Sequence, residues 1–97
     1  MFWFGRSREL DDFAIGLAQE LVRQVPPGTS SPGPQRVARA MDDIFNRARS
    51  FQKEKRLGIY GRAKVGTSFK FELKSAGYPD DLINDLTRQL LLVMSAK

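Results

Sequence analysis

The spacing of apolar residues predicts the first helix of the chain. Between Arg8 and Val25 the apolar positions recur every three or four residues, which is the period of one buried helix face. They are Leu10, Phe13, Ala14, Leu17, Ala18, Leu21, Val22 and Val25. Ser7 is the expected N-cap, because its hydroxyl can accept a hydrogen bond from a free amide of the first turn. Pro26 lacks an amide donor and is therefore expected to end a helix over residues 8–25.

Two further stretches have the same period. A helix over residues 35–56 is predicted from Val37, Met41, Ile44, Ala48 and Phe51. A helix over residues 80–95 is predicted from Leu82, Ile83, Leu86, Leu90, Val93 and Met94. Leu91 and Leu92 widen this last stripe, so we expect the helix to be covered on more than one side. The first two helices are expected to pack antiparallel through their apolar faces.

The segment before the last helix has two interpretations. Phe69, Phe71 and Leu73 alternate with charged residues, which is the period of a half-buried strand. Val65, Phe69, Leu73 and Ala76 also form a helical stripe, and Gly77 suits a left-handed helix end. We favour a helix over residues 63–76, joined to the last helix as a hairpin. The basic turn before it is expected to contain a left-handed cap at Gly58 and to fold Leu57, Ile59 and Tyr60 onto the core.

The predicted fold class is therefore all-α, a compact four-helix domain. The alternative is an α+β domain with a small β-hairpin at 57–75. With 97 residues the chain is expected to form a single domain, residues 1–97, with a radius of gyration of roughly 12 to 13 Å. The stretch 26–34, PPGTSSPGP, is interpreted as a flexible linker inside that domain because it combines proline, glycine and serine without charge.

Composition narrows the possible chemistry. The chain has no cysteine and no histidine, so it lacks thiolate nucleophiles, disulfides and the commonest general base. Ser68 and Lys64 have helical i, i+4 spacing, but no catalytic motif surrounds them. No phosphate-binding loop or zinc pattern occurs. We therefore predict that the protein is not an enzyme and uses no metal ion and no cofactor. Its apolar runs are too short to span a bilayer, so we predict no membrane partner and a cytoplasmic location.

Charge is concentrated in one part of the chain. Residues 35–64 contain nine Lys or Arg against three Asp or Glu, whereas the stretches before and after are close to neutral. Arg49, Lys53 and Arg56 share one face of the second helix. The predicted binding residues of this basic segment, residues 49–64, are Arg49, Lys53, Lys55, Arg56, Tyr60, Arg62 and Lys64. A second candidate surface is the N-terminal aromatic group, Trp3 and Phe4, which could anchor a partner.

Two functions fit this pattern. The first is a small protein-interaction module, such as an adaptor, inhibitor or subunit, which binds another protein with an acidic surface. It would use the basic helix face, the N-terminal aromatic anchor, or both. The alternative is a nucleic-acid-binding module that contacts the phosphate backbone through residues 49–64. The sequence gives no oligomeric state and no base preference.

Overall fold

A computed structural model describes the backbone of residues 2–27 and 34–95 and the side chains of residues 8–27 and 35–95. It contains four helices: α1, Phe2–Gln24; α2, Pro34–Lys55; α3, Ile59–Ala76; and α4, Asp80–Ser95. The all-α prediction is confirmed. The alternative hairpin at 57–75 is wrong, because that stretch is helical from Ile59 onward. Most of the predicted linker, residues 28–33, lies outside the described residues.

Two helices begin four or more residues before their predicted starts, and α2 begins one residue before its own, at Pro34. α1 starts at Phe2, so Ser7 lies inside the helix and is not its N-cap. No proline occurs in the chain before Pro26, and an interior glycine such as Gly5 costs a helix only about 1 kcal/mol. α3 starts at Ile59 because Gly58, in extended conformation, serves as its N-cap. The predicted starts followed the N-cap candidate Ser7 and the glycine at Gly61, whereas the helical backbone begins before both residues.

Contacts between side chains define the helix directions. α1 and α2 are antiparallel, as predicted: Lys55 Nζ lies 3.3 Å from Glu9 Oε2, and the rings of Phe13 and Phe51 stack with centroids 3.8 Å apart. α1 runs parallel to α3, with which it forms the most extensive helix interface. α3 and α4 form the predicted hairpin.

The helices are not arranged around the bundle in chain order. α2 packs on α1 and α4, and α3 packs on the same two helices, so α2 and α3 lie diagonally opposite each other. The short connection between them, residues 56–58, therefore crosses one end of the bundle. Leu57 is buried there and closes the core at that end. This diagonal connection determines where the basic residues of the turn are placed.

The core is built from the predicted stripes. Its largest fully buried side chains are Phe69, Leu17, Leu21, Ile44, Leu73, Ile83, Leu90, Met94, Val25 and Val65. Three expectations about burial are wrong. Ile59 and Tyr60 are exposed, and so is Leu92 on α4. Tyr60 is about 140° around the helix from Val65, so it lies on the opposite side of α3 from the buried stripe. The radius of gyration, 13.1 Å, agrees with the expected size.

A left-handed glycine was expected after α2 and after α3, and the structure has one only after α3. Gly77 has φ 103° and donates its amide to the carbonyls of Leu73 and Lys74, as predicted for the end of α3. After α2, the left-handed residue is Arg56, with φ 51°, and not Gly58. The chain must reverse before Leu57 can enter the core, so the left-handed turn falls one residue before Leu57. Within the described ranges, no helix is long and apolar enough to cross a membrane.

Candidate basic groove

An open groove lies at the end of the bundle that the α2–α3 connection crosses. α2 and α4 both end at this groove, and α3 begins there. The groove has a volume of about 770 Å³. It is lined by Arg49, Ser50, Gln52, Lys53, Arg56, Leu57, Arg62, Val93, Met94 and Ser95. We call this set the basic groove.

Four of the predicted binding residues meet in the basic groove. Arg49 and Lys53 project from the last turns of α2, and Arg56 follows in the left-handed turn. Arg62 joins them from α3. It lies three residues before Val65, on the buried side of that helix, but one turn beyond the end of the core. The diagonal connection thus brings a fourth cation to the three that share one face of α2.

Two side chains that line the groove donate hydrogen bonds to the same backbone carbonyl, that of Leu57. The Leu57 carbonyl accepts from Gln52 Nε2 at 2.8 Å and from Arg62 NH1 at 3.4 Å. Both side chains are thereby held against the turn. The remaining amide oxygen of Gln52 is buried and has no hydrogen-bond partner.

Among the described residues, no Asp or Glu lines the basic groove, so no acidic side chain of the lining set offsets its four positive charges. In the part of the chain that the structure describes, none of the six ion pairs includes Arg49, Lys53, Arg56 or Arg62. Arg49 NH1 instead donates to Asn46 Oδ1 at 3.4 Å. Four neighbouring cations without a carboxylate create a positive potential that attracts anions.

The groove also has an apolar component. Leu57 and Met94 are buried beneath it, and Val93 is half-buried at its side. The predicted binding residues did not include six that line the groove: Ser50, Gln52, Leu57, Val93, Met94 and Ser95. Only the packing order of the helices shows that the end of α4 lies beside the end of α2, and the stripe pattern does not contain that order.

Two other predicted binding residues point elsewhere. Lys55 pairs with Glu9 at 3.3 Å and with Glu54 at 3.9 Å, and Lys64 Nζ lies 3.6 Å from Asp11 Oδ1. Both lysines therefore face acidic residues of α1 or their own helix and not the basic groove. Their predicted binding role stays a prediction.

The predicted aromatic contacts are also outside the groove. Tyr60 is 70% exposed on the far side of α3 and does not line the basic groove. The side chains of Trp3 and Phe4 lie outside the described residues, so the N-terminal anchor stays a prediction. Their backbone belongs to the first turn of α1.

The serine considered as a nucleophile has a structural partner. Ser68 Oγ donates a hydrogen bond to Asp11 Oδ1 at 2.5 Å, and Lys64 pairs with the same oxygen. The three side chains join α3 to α1. Among the described residues, no three carboxylates come together in a group that could hold a metal ion.

Comparison with known proteins gave no relative: no family model, no curated protein and no solved structure matches the chain. The protein can therefore be classified only by its own fold. It is a small all-α domain of four helices that carries a basic groove at one end.

Proposed function

We propose that this protein is a small non-enzymatic interaction module that binds an acidic segment of another protein in the basic groove. The observation that carries the proposal is the meeting of Arg49, Lys53, Arg56 and Arg62 around one groove, whose described lining residues include no Asp or Glu. Their like charges repel one another in the free protein. An acidic partner would relieve that repulsion, and charge complementarity of this kind gives specificity and fast association.

The shape of the site favours a protein partner over a nucleic acid. The cations lie beside Val93, which is half-buried and still presents part of its side chain, whereas Leu57 and Met94 beneath them expose almost no surface. A phosphate backbone would contact the cations but leave Val93 uncovered, whereas a polypeptide can offer carboxylates and apolar side chains together. Phosphate is nevertheless attracted by the same four charges, so nucleic-acid binding is the competing outcome of the test.

The proposal also includes a non-enzymatic role and a cytoplasmic location. A non-enzymatic role is supported by the lack of histidine and cysteine and by the engagement of Ser68 with Asp11. The proposal includes the predicted cytoplasmic location. Cell fractionation tests it, because recovery of the chain outside the cytoplasmic fraction would contradict that part.

The test uses two variants with equal net charge. The groove variant changes Arg49, Lys53, Arg56 and Arg62 to Ala. The control variant changes Arg36, Arg39, Lys70 and Lys74, which are exposed and lie outside the groove, to Ala. Each set removes four positive charges, so the net charge falls from +5 to +1 in both. Any difference between them therefore reports the position of the charges and not their number.

The probes are a labelled peptide of glutamate and serine and labelled single-stranded and duplex oligonucleotides. Fluorescence anisotropy at low ionic strength is expected to show that the native protein and the control variant bind the peptide alike. The groove variant is expected to bind it at least about tenfold more weakly, since a tenfold change needs only about 1.4 kcal/mol from four lost charge contacts. Equal loss in both variants would contradict the groove assignment. Tighter binding of an oligonucleotide than of the peptide, lost in the groove variant, would favour the nucleic-acid function.

A further inference from the structure

The arginines of the basic groove use few of their hydrogen-bond donors within the described chain. Three of the four cations are arginines, and each guanidinium carries five N–H donors in a planar fork, whereas the Lys53 ammonium carries three. Arg49 donates to Asn46, and Arg62 donates to the Leu57 carbonyl, each through NH1 at 3.4 Å. The groove therefore presents many more donors than the two oxygens of one carboxylate could accept.

These donors reach the groove from three parts of the backbone. Arg49 and Lys53 lie one turn apart on α2, Arg56 follows in the left-handed turn, and Arg62 belongs to the first turn of α3. Arg62 is half-buried and is held by its hydrogen bond to the Leu57 carbonyl, whereas the other three are exposed. A tetrahedral phosphate group has three terminal oxygens and can accept from several such directions, whereas a carboxylate is planar and has two oxygens.

We infer that the acidic segment bound in the basic groove carries a phosphate monoester, such as phosphoserine, whose terminal oxygens accept hydrogen bonds from the groove arginines. This inference rests on the proposed function and specifies the chemistry of its partner. A phosphate monoester carries about 1.5 to 2 negative charges near neutral pH, so it offsets about as much of the groove charge as two carboxylates. Hydrogen bonds between arginine and phosphate are charge-assisted and can be bidentate, and clusters of arginine recognise phosphorylated segments in other proteins.

The inference predicts a preference between two peptides of equal charge. The phosphopeptide is the glutamate–serine peptide with one phosphoserine. The charge-matched peptide has glutamate at that position and also in place of a neighbouring serine. Fluorescence anisotropy at about pH 7.5 and low ionic strength is expected to show that the native protein binds the phosphopeptide at least about tenfold more tightly, since one additional hydrogen bond to a charged group is enough for that ratio.

The preference is expected to depend on pH in a way that identifies the phosphate. The second proton of a phosphate monoester has a pKa of about 6, and the chain has no histidine that would titrate in the same range. Lowering the pH to about 5.5 is therefore expected to weaken binding of the phosphopeptide about threefold, because the phosphate loses negative charge. The glutamates of the charge-matched peptide stay ionised at that pH, so its affinity is expected to change little.

Two variants that keep the net charge locate the phosphate contact. The first, the lysine variant, replaces three arginines of the groove with lysine: Arg49, Arg56 and Arg62. The second, its control, makes the same change at three exposed arginines outside the groove: Arg36, Arg39 and Arg88. The lysine variant is expected to lose at least about fivefold in affinity for the phosphopeptide, because lysine cannot replace the guanidinium fork at a bidentate contact. The control is expected to bind both peptides like the native protein, and circular dichroism is expected to show native helix content in both variants.

The outcomes separate this inference from the proposed function. Equal affinity for the two peptides, with both weakened when the four groove cations are changed to Ala, would overturn the phosphate and keep the acid-binding groove. A phosphate preference that the lysine variant retains would overturn the arginine contact. Inorganic phosphate that bound as tightly as the phosphopeptide would also overturn the inference, because the ligand would then be a small anion and not a protein segment. Peptide binding that did not depend on the four groove cations would overturn the proposed function itself.

Discussion

At the scale of single residues, Arg56 combines backbone strain with a place in the basic groove. It is the only non-glycine residue with positive φ in the described ranges, and its guanidinium lines the groove. A left-handed conformation costs a residue with a side chain roughly 1–2 kcal/mol, and such strain is often found at functional sites. Glycine would remove the strain but also one of the four cations.

Arg56→Gly is therefore expected to separate stability from binding. The free energy of unfolding, measured by urea denaturation, is expected to rise by about 0.5–1 kcal/mol, because glycine relieves the strain at some cost in chain entropy. Affinity for the glutamate–serine peptide is expected to fall about twofold to fivefold. Arg49→Ala is the control: it should weaken binding without raising stability. A stability loss in Arg56→Gly would contradict the description of this turn.

Two glycines predict opposite effects of the same substitution. A Cβ added at Gly16, inside α1, or at Gly77, after α3, would meet no atom within 4 Å. Gly16 has helical backbone, so Gly16→Ala is expected to raise the free energy of unfolding by about 0.5–1 kcal/mol. Gly77 has φ 103°, so Gly77→Ala is expected to lower it by about 1–2 kcal/mol. Urea denaturation of both variants would contradict the assigned backbone if the two changes had the same sign.

Tyr78 predicts a pH dependence of stability. It is 7% exposed, its hydroxyl donates to the Val25 carbonyl at 2.5 Å, and burial raises its pKa above the ordinary value of 10.0. The unfolded phenol therefore loses its proton at lower pH than the folded one. The contribution of Tyr78 is complete below about pH 10 and is lost as the pH rises further.

Tyr78→Phe is expected to lower the free energy of unfolding at neutral pH by about 1–2 kcal/mol, since the Val25 carbonyl loses its donor. Urea denaturation repeated at increasing alkaline pH should show a shallower decline for Tyr78→Phe than for the native protein. Tyr60→Phe keeps Tyr78 and is expected to keep the native decline. Equal slopes for the native protein and Tyr78→Phe would contradict a buried, hydrogen-bonded phenol.

At the scale of helices, the parallel pair α1 and α3 is held at both ends by polar contacts. Ser68 and Lys64 of α3 share one oxygen of Asp11, and Tyr78, just after α3, reaches the end of α1. Ala14 and Ala18 of α1 and Phe69 of α3 are fully buried in the core that the helices share.

Ser68→Ala tests the contact between α1 and α3. Serine and alanine differ in helix propensity, so Ser75→Ala, at an exposed position of the same helix, is the matched control. The free energy of unfolding of Ser68→Ala is expected to be about 1–2 kcal/mol below that of Ser75→Ala, because a hydrogen bond to a carboxylate is lost. Thermal or urea denaturation that ranked the two variants equally would show that the Asp11 contact adds no stability.

Most of the helices could be predicted from the sequence, and their arrangement could not. The apolar stripes of α2 and α4 and the glycine end of α3 are local patterns, so they appear in the sequence directly. The diagonal placement of α2 and α3 depends on which helix faces fit together. For that reason the stripe of α4 was expected to be covered on more than one side, whereas Leu92 is exposed.

At the scale of the whole molecule, part of the positive charge excess is concentrated at one end of the bundle, where it creates a positive potential. The sequence identified the basic segment, and helical spacing correctly grouped Arg49, Lys53 and Arg56. It could not separate Arg62, which joins them, from Lys55 and Lys64, which pair with α1. That separation depends on long-range contacts between α1 and the other helices. The apolar side of the groove, from α4, was missed for the same reason.

The central claim is that an acidic segment binds at this end of the bundle, and amide chemical shifts measure that location directly. The isotope-labelled protein is titrated with the glutamate–serine peptide, with potassium glutamate at equal ionic strength as the control. The account predicts that the largest peptide-specific shifts fall in residues 49–57, at Arg62 and in residues 93–95. Largest shifts around Arg36 and Arg39, or around Lys70 and Lys74, would place the binding surface elsewhere and contradict the account.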